Sequence, residues 1–281
     1  MKYRVRVLLV TGVLAFGITA CNKPAATEPA AVPSAAKTEA PTASETKSVV
    51  PAEPKAPAVA TPAVAAPAVA ASSTNVLIFR NVRSWRRQVD FEEALTELGM
   101  KFDVKLSAEM GATDPSGYAF VIIPGAQWQD DYYFQYAENA GRFERYVTNG
   151  GTLVLELNGA ERDGITLPGG VKMVKHGSTD NVIVVPDHPI LNPLAGKVIH
   201  ANYASHGYLE GVPKDALILA AEMVDGQAAM DRPTFVEYRY GAGRVIAACQ
   251  CFHDQDGSGR GILMETVINY AAEKKWFVAK K

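Results

Sequence analysis

From residue 75 onward, short apolar runs take turns with longer stretches whose apolar positions recur every three or four residues. NVLIFR at 75–80 is such a run, and it gives way to the polar loop NVRSWRRQ. VDFEEALTELGM then sets Val89, Phe91, Ala94, Leu95 and Leu98 at near-helical spacing, with Gly99 as the stop. KFDVKLS at 101–107 alternates as a half-buried strand does. YAFVIIPG at 118–125 is the unbroken apolar run of a parallel strand covered on both faces, and a loop has to begin at Pro124-Gly125. Residues 130–151 read as a long helix with Tyr133, Phe134, Ala137, Phe143, Tyr146 and Val147 on its apolar side and Gly150-Gly151 at its end. TLVLELNG follows as a buried strand. RVIAACQCF at 244–252 reads as the last buried strand, ahead of a final helix, GILMETVINYAAEKKW. Strands that alternate with helices imply right-handed crossovers and a parallel sheet. The expected fold is α/β, a three-layer α/β/α sandwich around a mainly parallel, flavodoxin-like central sheet, spanning 74–281.

The first 73 residues follow neither period. Lys2, Arg4 and Arg6 precede an apolar run from Val7 to Ala20, and small residues lead up to Cys21, the layout of a secretory signal over 1–20. At 14 residues the run falls short of the roughly 20 that a spanning helix needs. Ile18-Thr19-Ala20-Cys21 resembles the lipobox of bacterial lipoprotein signals. The resemblance implies cleavage before Cys21 and acylation of that cysteine, which makes the membrane the first expected partner; stable anchoring then takes more than one acyl chain. The alternative is a plain signal peptide cut near Ala20. Asn22, by the same resemblance, points to the outer membrane of a Gram-negative host. After Asn22, residues 23–73 are Ala, Pro, Thr, Ser, Val, Glu and Lys with no Gly and no aromatic residue. Such a segment cannot bury enough apolar surface to offset its ordering entropy, so 21–73 reads as a disordered tether, extended by its prolines at about 3.1 Å per residue.

Net charge adds an exclusion. A formal charge of −2 with both signs interspersed leaves no basic face, so nucleic acid is not an expected partner.

Four segments taken together, VIIPG, RYVTNGGTLVLELNG, DHPIL at 187–191 and EYRYGAGRVIAA at 237–248, resemble the class I glutamine amidotransferase-like superfamily, and within it the ThuA-like and related non-catalytic branches. The likeness covers most of 75–276. In catalytic members a nucleophilic cysteine stands at the sharp turn after the strand that matches Thr152–Leu157, inside a G-x-C-x-G pattern. Here the segment is VLELNGAER, with Leu157 or Asn158 in that place. Covalent amide hydrolysis of the family type then has no starting group.

In open parallel sheets ligands bind beyond the carboxyl ends of the strands. The loops there carry Arg80, Trp85 and Arg86, then Gln127 and Trp128, then Asn158 and Glu161, then His253 and Asp254. Stacking faces mixed with hydrogen-bonding groups suit a sugar or another small polar ligand, although each residue taken singly also reads as a solvated loop position. His206, with His200 in what reads as a loop, joins the candidates; no four-ligand zinc set accompanies them. Cys249 and Cys251 alternate on an extended strand and so face one way, with Gln250 opposite, which suits two buried thiols better than a disulfide. Asp254, Asp256, Ser258, Gly259 and Glu265 fall at positions 1, 3, 5, 6 and 12 of an EF-type calcium loop. Gly261 at position 8 and a preceding strand count against calcium, and a polar turn capping the last helix is the preferred reading. No cofactor is expected. The sequence therefore supports a cell-envelope lipoprotein whose non-catalytic domain binds a small polar ligand or an envelope protein. Two rivals are a hydrolase in which Glu161, His206 or His253 with Asp254 is the general base, and a purely structural envelope component.

Overall fold

In chain order the elements are β1 (Asn75–Phe79), α1 (Asp90–Glu97), β2 (Lys101–Lys105), β3 (Phe120–Ile123), α2 (Asp130–Thr148), β4 (Thr152–Glu156), β5 (Lys172–Ile183), β6 (Val198–Glu210), β7 (Leu217–Val224), β8 (Gln227–Tyr240), β9 (Gly243–Ala248) and α3 (Gly261–Ala272). They come from a computed structural model that describes residues 75–83, 90–127, 130–158, 165–194, 198–252, 261–273 and 275–278. The nine strands among the described residues form one sheet in the order β2-β1-β3-β4-β9-β8-β7-β5-β6.

The sheet has two halves that meet at β9. From β2 to β9 every pairing is parallel; from β9 to β6 every pairing is antiparallel. The expectation of a mainly parallel sheet is corrected accordingly: the fold is α/β with a mixed sheet. The parallel half keeps the strand order 2-1-3-4-5 of doubly wound folds, with β9 as its fifth strand. In the antiparallel half β6 to β9 run on through short connections, which antiparallel neighbours allow without a crossover helix. Asp225 and Gly226, at φ 50° and 76°, make the two-residue turn between β7 and β8, which is the backbone that a primed hairpin turn demands. The apolar-run criterion does not pick β5 out, because it reads KMVKHGSTDNVI and buries only scattered positions.

Burial in the parallel half follows the pleat. Leu77, Phe79, Val121, Ile123, Leu153, Leu155, Val245 and Ala247 pack with Tyr132, Tyr136, Phe143 and Val147 of α2. Their strand neighbours Val76, Ile78, Phe120, Ile122, Val154 and Ile246 pack with Phe91 and Leu95 of α1 and Leu263, Met264 and Val267 of α3. One face therefore belongs to α2 and the other to α1 and α3, which is why these short strands are apolar at almost every position. Acidic residues fill the first turn of α1, where the helix dipole favours them, and Gly99 at φ 67° lets Met100 N–H return to Leu95 O at 2.9 Å.

The seam between the halves holds a buried charge cluster. His188 and Glu237 side chains are fully buried, with Nε2 3.0 Å from Oε2. Ile190 N–H donates to His188 Nδ1 at 3.3 Å, so Nδ1 is the acceptor and Nε2 carries the hydrogen that Glu237 accepts. Arg244 Nη1 lies 3.5 Å from Glu237 Oε1, and its Nη2 donates to the carbonyls of Tyr270, Ala271 and Glu273 at 2.7, 2.9 and 2.6 Å. A guanidinium thus closes the negative end of α3. The DHPIL histidine is part of this internal lock.

Candidate functional site

The carboxyl ends of the parallel strands converge on a crevice lined by Arg80 after β1, Asp90 and Glu92 of α1, Gly125 and Gln127 after β3, and Glu156 at the end of β4. Phe91 and Met264 form its apolar floor. The cavity is small, about 20 Å³, room for about one water molecule.

Two buried side chains organise this edge by accepting from backbone. Glu156, 3% exposed, accepts from Gly125 N–H at 3.1 Å through Oε2 and from Phe252 N–H at 2.9 Å through Oε1, so one carboxylate ties the ends of β3, β4 and β9 together. Hydrogen bonds to an ionised group contribute about 1.5–3 kcal/mol each, which is what keeps a carboxylate tolerable there. Gln127, 1% exposed, accepts from Asn81 N–H and Val82 N–H through Oε1 at 2.9 and 3.1 Å and donates through Nε2 to Val82 O at 2.9 Å. It pins the loop after β1 to the loop after β3. Asn81 in turn exchanges two 2.7 Å bonds with Ser107, one to its hydroxyl and one from its N–H.

The turn after β3 is strained. Ala126 has φ 57°, a left-handed backbone that costs a non-glycine residue about 1–2 kcal/mol, and its N–H donates to Asn158 O at 2.7 Å. Asn158 stands in the turn directly after β4, 2% exposed, and its Nδ2 donates to Cys251 Sγ at 3.0 Å. Its Oδ1 covers the Cα of Gly125, where an added Cβ would lie only 1.7 Å away. Glycine at 125 is therefore required by close approach.

Of the sequence candidates, Arg80 and Gln127 line the crevice, and Asn158 lies directly behind Gly125. Arg80 Nε is 2.5 Å from Glu92 Oε1. His206 is in strand β6 rather than in a loop, and its N–H donates to Cys249 O at 2.8 Å. His200 is also in β6, its Nδ1 2.5 Å from Asp180 Oδ1. Trp85, Arg86, Trp128, Glu161, His253 and Asp254 lie outside the described residues, as do Cys21, Asp256 and Ser258; Glu265 is on α3. Among the described residues no group of three metal-binding side chains occurs, and no helix is long and apolar enough to cross a membrane.

The strand reading of CQCF is corrected: β9 stops at Ala248, and Cys249 and Cys251 follow it, both buried as free thiols. Burial pushes the Cys249 thiol far above its ordinary range. Burial, with the Glu156 carboxylate second, does the same to the Tyr133 phenol. Sequence reasoning missed Glu156, Asp90 and Glu92. A signal for Glu156 exists, since it is the single charged residue at the end of the apolar run TLVLE.

No protein-family model matches the chain. An uncharacterized protein of Clostridium acetobutylicum is 24% identical over 207 residues, 72% of this chain; those residues span 21% of that relative's length. Among solved structures, a cytoplasmic protein of Salmonella typhimurium superposes at TM-score 0.45 with 14% identity, covering 70% of this chain and 97% of that one. A putative ThuA-like protein of Bacteroides uniformis gives TM-score 0.44 and 15% identity over 74% and 94% of the two chains. A beta-galactosidase of Bacillus circulans gives TM-score 0.43 and 15% identity over 71% of this chain and 30% of that one. At such scores the function has to be argued from this chain's own residues.

Proposed function

We propose that the chain is a cell-envelope lipoprotein, held by acylated Cys21 and the tether of residues 22–73, whose amidotransferase-like domain binds a small polar ligand at the carboxyl edge of its parallel strands and performs no amide hydrolysis. The observation that carries this reading is the state of the backbone donors at that edge. Acyl transfer needs a nucleophile beside free N–H groups that can hold an oxyanion. Here the resemblance puts Leu157 or Asn158 in the nucleophile's place, and the N–H groups of Gly125, Ala126 and Phe252 are engaged by Glu156 and by the Asn158 carbonyl. The crevice remains as a binding feature, with strained Ala126 and buried Glu156 holding its shape; strain of this kind accumulates at functional sites.

The test is ammonia release from glutamine by the full chain purified in neutral detergent, alongside mass spectrometry of its mature N-terminus. No release above buffer and an N-terminal Cys21 bearing acyl chains are the expected results. Turnover of glutamine would overturn the non-catalytic reading, and an unmodified Cys21 would overturn the anchor.

A further inference from the structure

The two terminal strands of the sheet are finished differently. At one end β6 folds back against β8, and His206 N–H donates to Cys249 O at 2.8 Å. At the other end β2 pairs with β1 alone. Arg80 N–H donates to Lys105 O at 2.8 Å, so the backbone of Lys105, and by alternation that of Asp103 and Lys101, is turned toward β1. The N–H and C=O groups of Phe102 and Val104 therefore point outward, with no strand beside them among the described residues. A row of this kind is a template for another strand.

The side chains of this edge sort by face. Phe102 and Val104 stand opposite Val76 and Ile78, on the side of α1 and α3, and Leu106 follows with an extended backbone at φ −77° and ψ 156°. Val104 and Leu106 are 38% and 54% exposed, large apolar groups left at an open strand. Lys101, Asp103 and Lys105 alternate onto the other face. Asp103 Oδ2 accepts from Tyr118 OH at 2.8 Å, and Lys105 Nζ lies 3.4 Å from Glu109 Oε1. Both pairs are exposed, and a carboxylate or an ammonium held by one such partner keeps capacity for another.

A second copy of the strand, laid antiparallel, brings the outward groups together when the two-fold axis falls at Phe102, Asp103 or Val104. An axis at Asp103 sets Asp103 against its own copy and Lys101 against Lys105, like charge on like. An axis at Phe102 pairs Lys101 with Asp103, but it sets Val104 against Met100, which is already packed on the core, and leaves Leu106 uncovered. An axis at Val104 puts Asp103 opposite Lys105 of the other copy on both sides of the axis and Phe102 opposite Leu106. It also gives Val104 reciprocal N–H···O=C bonds with its own copy and covers both exposed apolar residues. We infer that the chain forms a two-fold homodimer through its β2 edges, joining two nine-stranded sheets into one across Val104. The assignment rests on β2 alone and stands apart from the ligand-binding reading above.

Sedimentation equilibrium of the full chain in a density-matched neutral detergent reads the mass of the assembly. The native chain is expected as a concentration-dependent dimer in the micromolar range, as suits a small interface. Asp103→Lys and Lys105→Asp should each weaken the dimer at least about tenfold. An equimolar mixture of the two variants should associate again, because each then carries the charge that the other lacks; reassociation also shows that both are folded. Lys101→Asp, which lies outside the Val104 pairs, should leave the dimer as tight as native. A native chain that stays monomeric up to about 100 μM overturns the proposal. So does a dimer indifferent to both reversals, or a mixture of variants with native circular dichroism that fails to associate. A dimer lost in Lys101→Asp and kept in Lys105→Asp overturns the Val104 axis in favour of Phe102.

Discussion

In the parallel half Glu156 and Gln127 are buried at strand ends and accept from backbone N–H groups. In the antiparallel half Glu222 meets side chains instead, His176 at 3.0 Å and Arg232 at 3.4 Å, which are themselves 44% and 41% exposed. The first arrangement fixes the course of several chain segments at one edge, while the second pairs one carboxylate with side chains that reach solvent. Polar groups that hold backbone in a strained path are costly to maintain and have a shape to preserve; polar groups that pair across a solvated sheet face stabilise little. That contrast is what supports the carboxyl edge of the parallel half as the proposed ligand site.

The steepest way to break the parallel half is alkali. Tyr132, Tyr133, Tyr136, Tyr146 and Tyr238 belong to the core against α2, and burial raises the ionisation of each well above the ordinary phenol range. With folded values raised, both states are protonated below the unfolded value near 10, so the full stability is present there. Above it only the unfolded chain loses protons, and stability should fall by up to about 1.4 kcal/mol per pH unit for each tyrosine. Circular dichroism should be lost in one cooperative step above pH 10, and these five of the eleven tyrosines should ionise only in that step. Ionisation of all eleven while the circular dichroism is still native would contradict this.

The seam comes next. Replacing Arg244 by alanine leaves Glu237 buried with its cation gone and the α3 carbonyls undonated, at an expected cost of about 3–5 kcal/mol in denaturant unfolding. A loss below 1 kcal/mol, about the size of an exposed pair, would show that the lock is dispensable. Gly125→Ala, which drives a methyl into Asn158 Oδ1, should cost about 1–3 kcal/mol, and a second change, Asn158→Gly, should recover much of it. Failure of the double variant to recover would mean that the two residues do not press on each other. Smallest of all, His176→Ala or Arg232→Ala should move stability by no more than about 1 kcal/mol, less in high salt. A larger loss would make the solvated face a structural element after all.

The same contrast governs what the amino-acid sequence discloses. NVLIF, FVII, TLVLE and GRVIAA are buried on both faces, so hydrophobic runs alone mark them, and their carboxyl ends locate Arg80, Gln127 and Asn158. β5 and β6 alternate buried and polar positions irregularly across register shifts, and their polar content reads as loop. The turn at Asp225-Gly226 is the local signal that marks β7 and β8 as a hairpin. Charged residues at the site are harder: Glu92 looks like any acidic residue in a helix's first turn, and its role depends on Arg80 twelve positions away. Pairings of that kind are set by topology, which composition and period do not encode.

Amide hydrogen exchange on the full chain reads the donors of the crevice directly. If they are spent internally, Asn81, Val82, Gly125, Ala126 and Phe252 exchange slowly, in the range of the strand amides of β3 and β4. Exchange of Gly125, Ala126 and Phe252 at free-peptide rates would mean that they stand open to hold an oxyanion, and would contradict the non-catalytic reading.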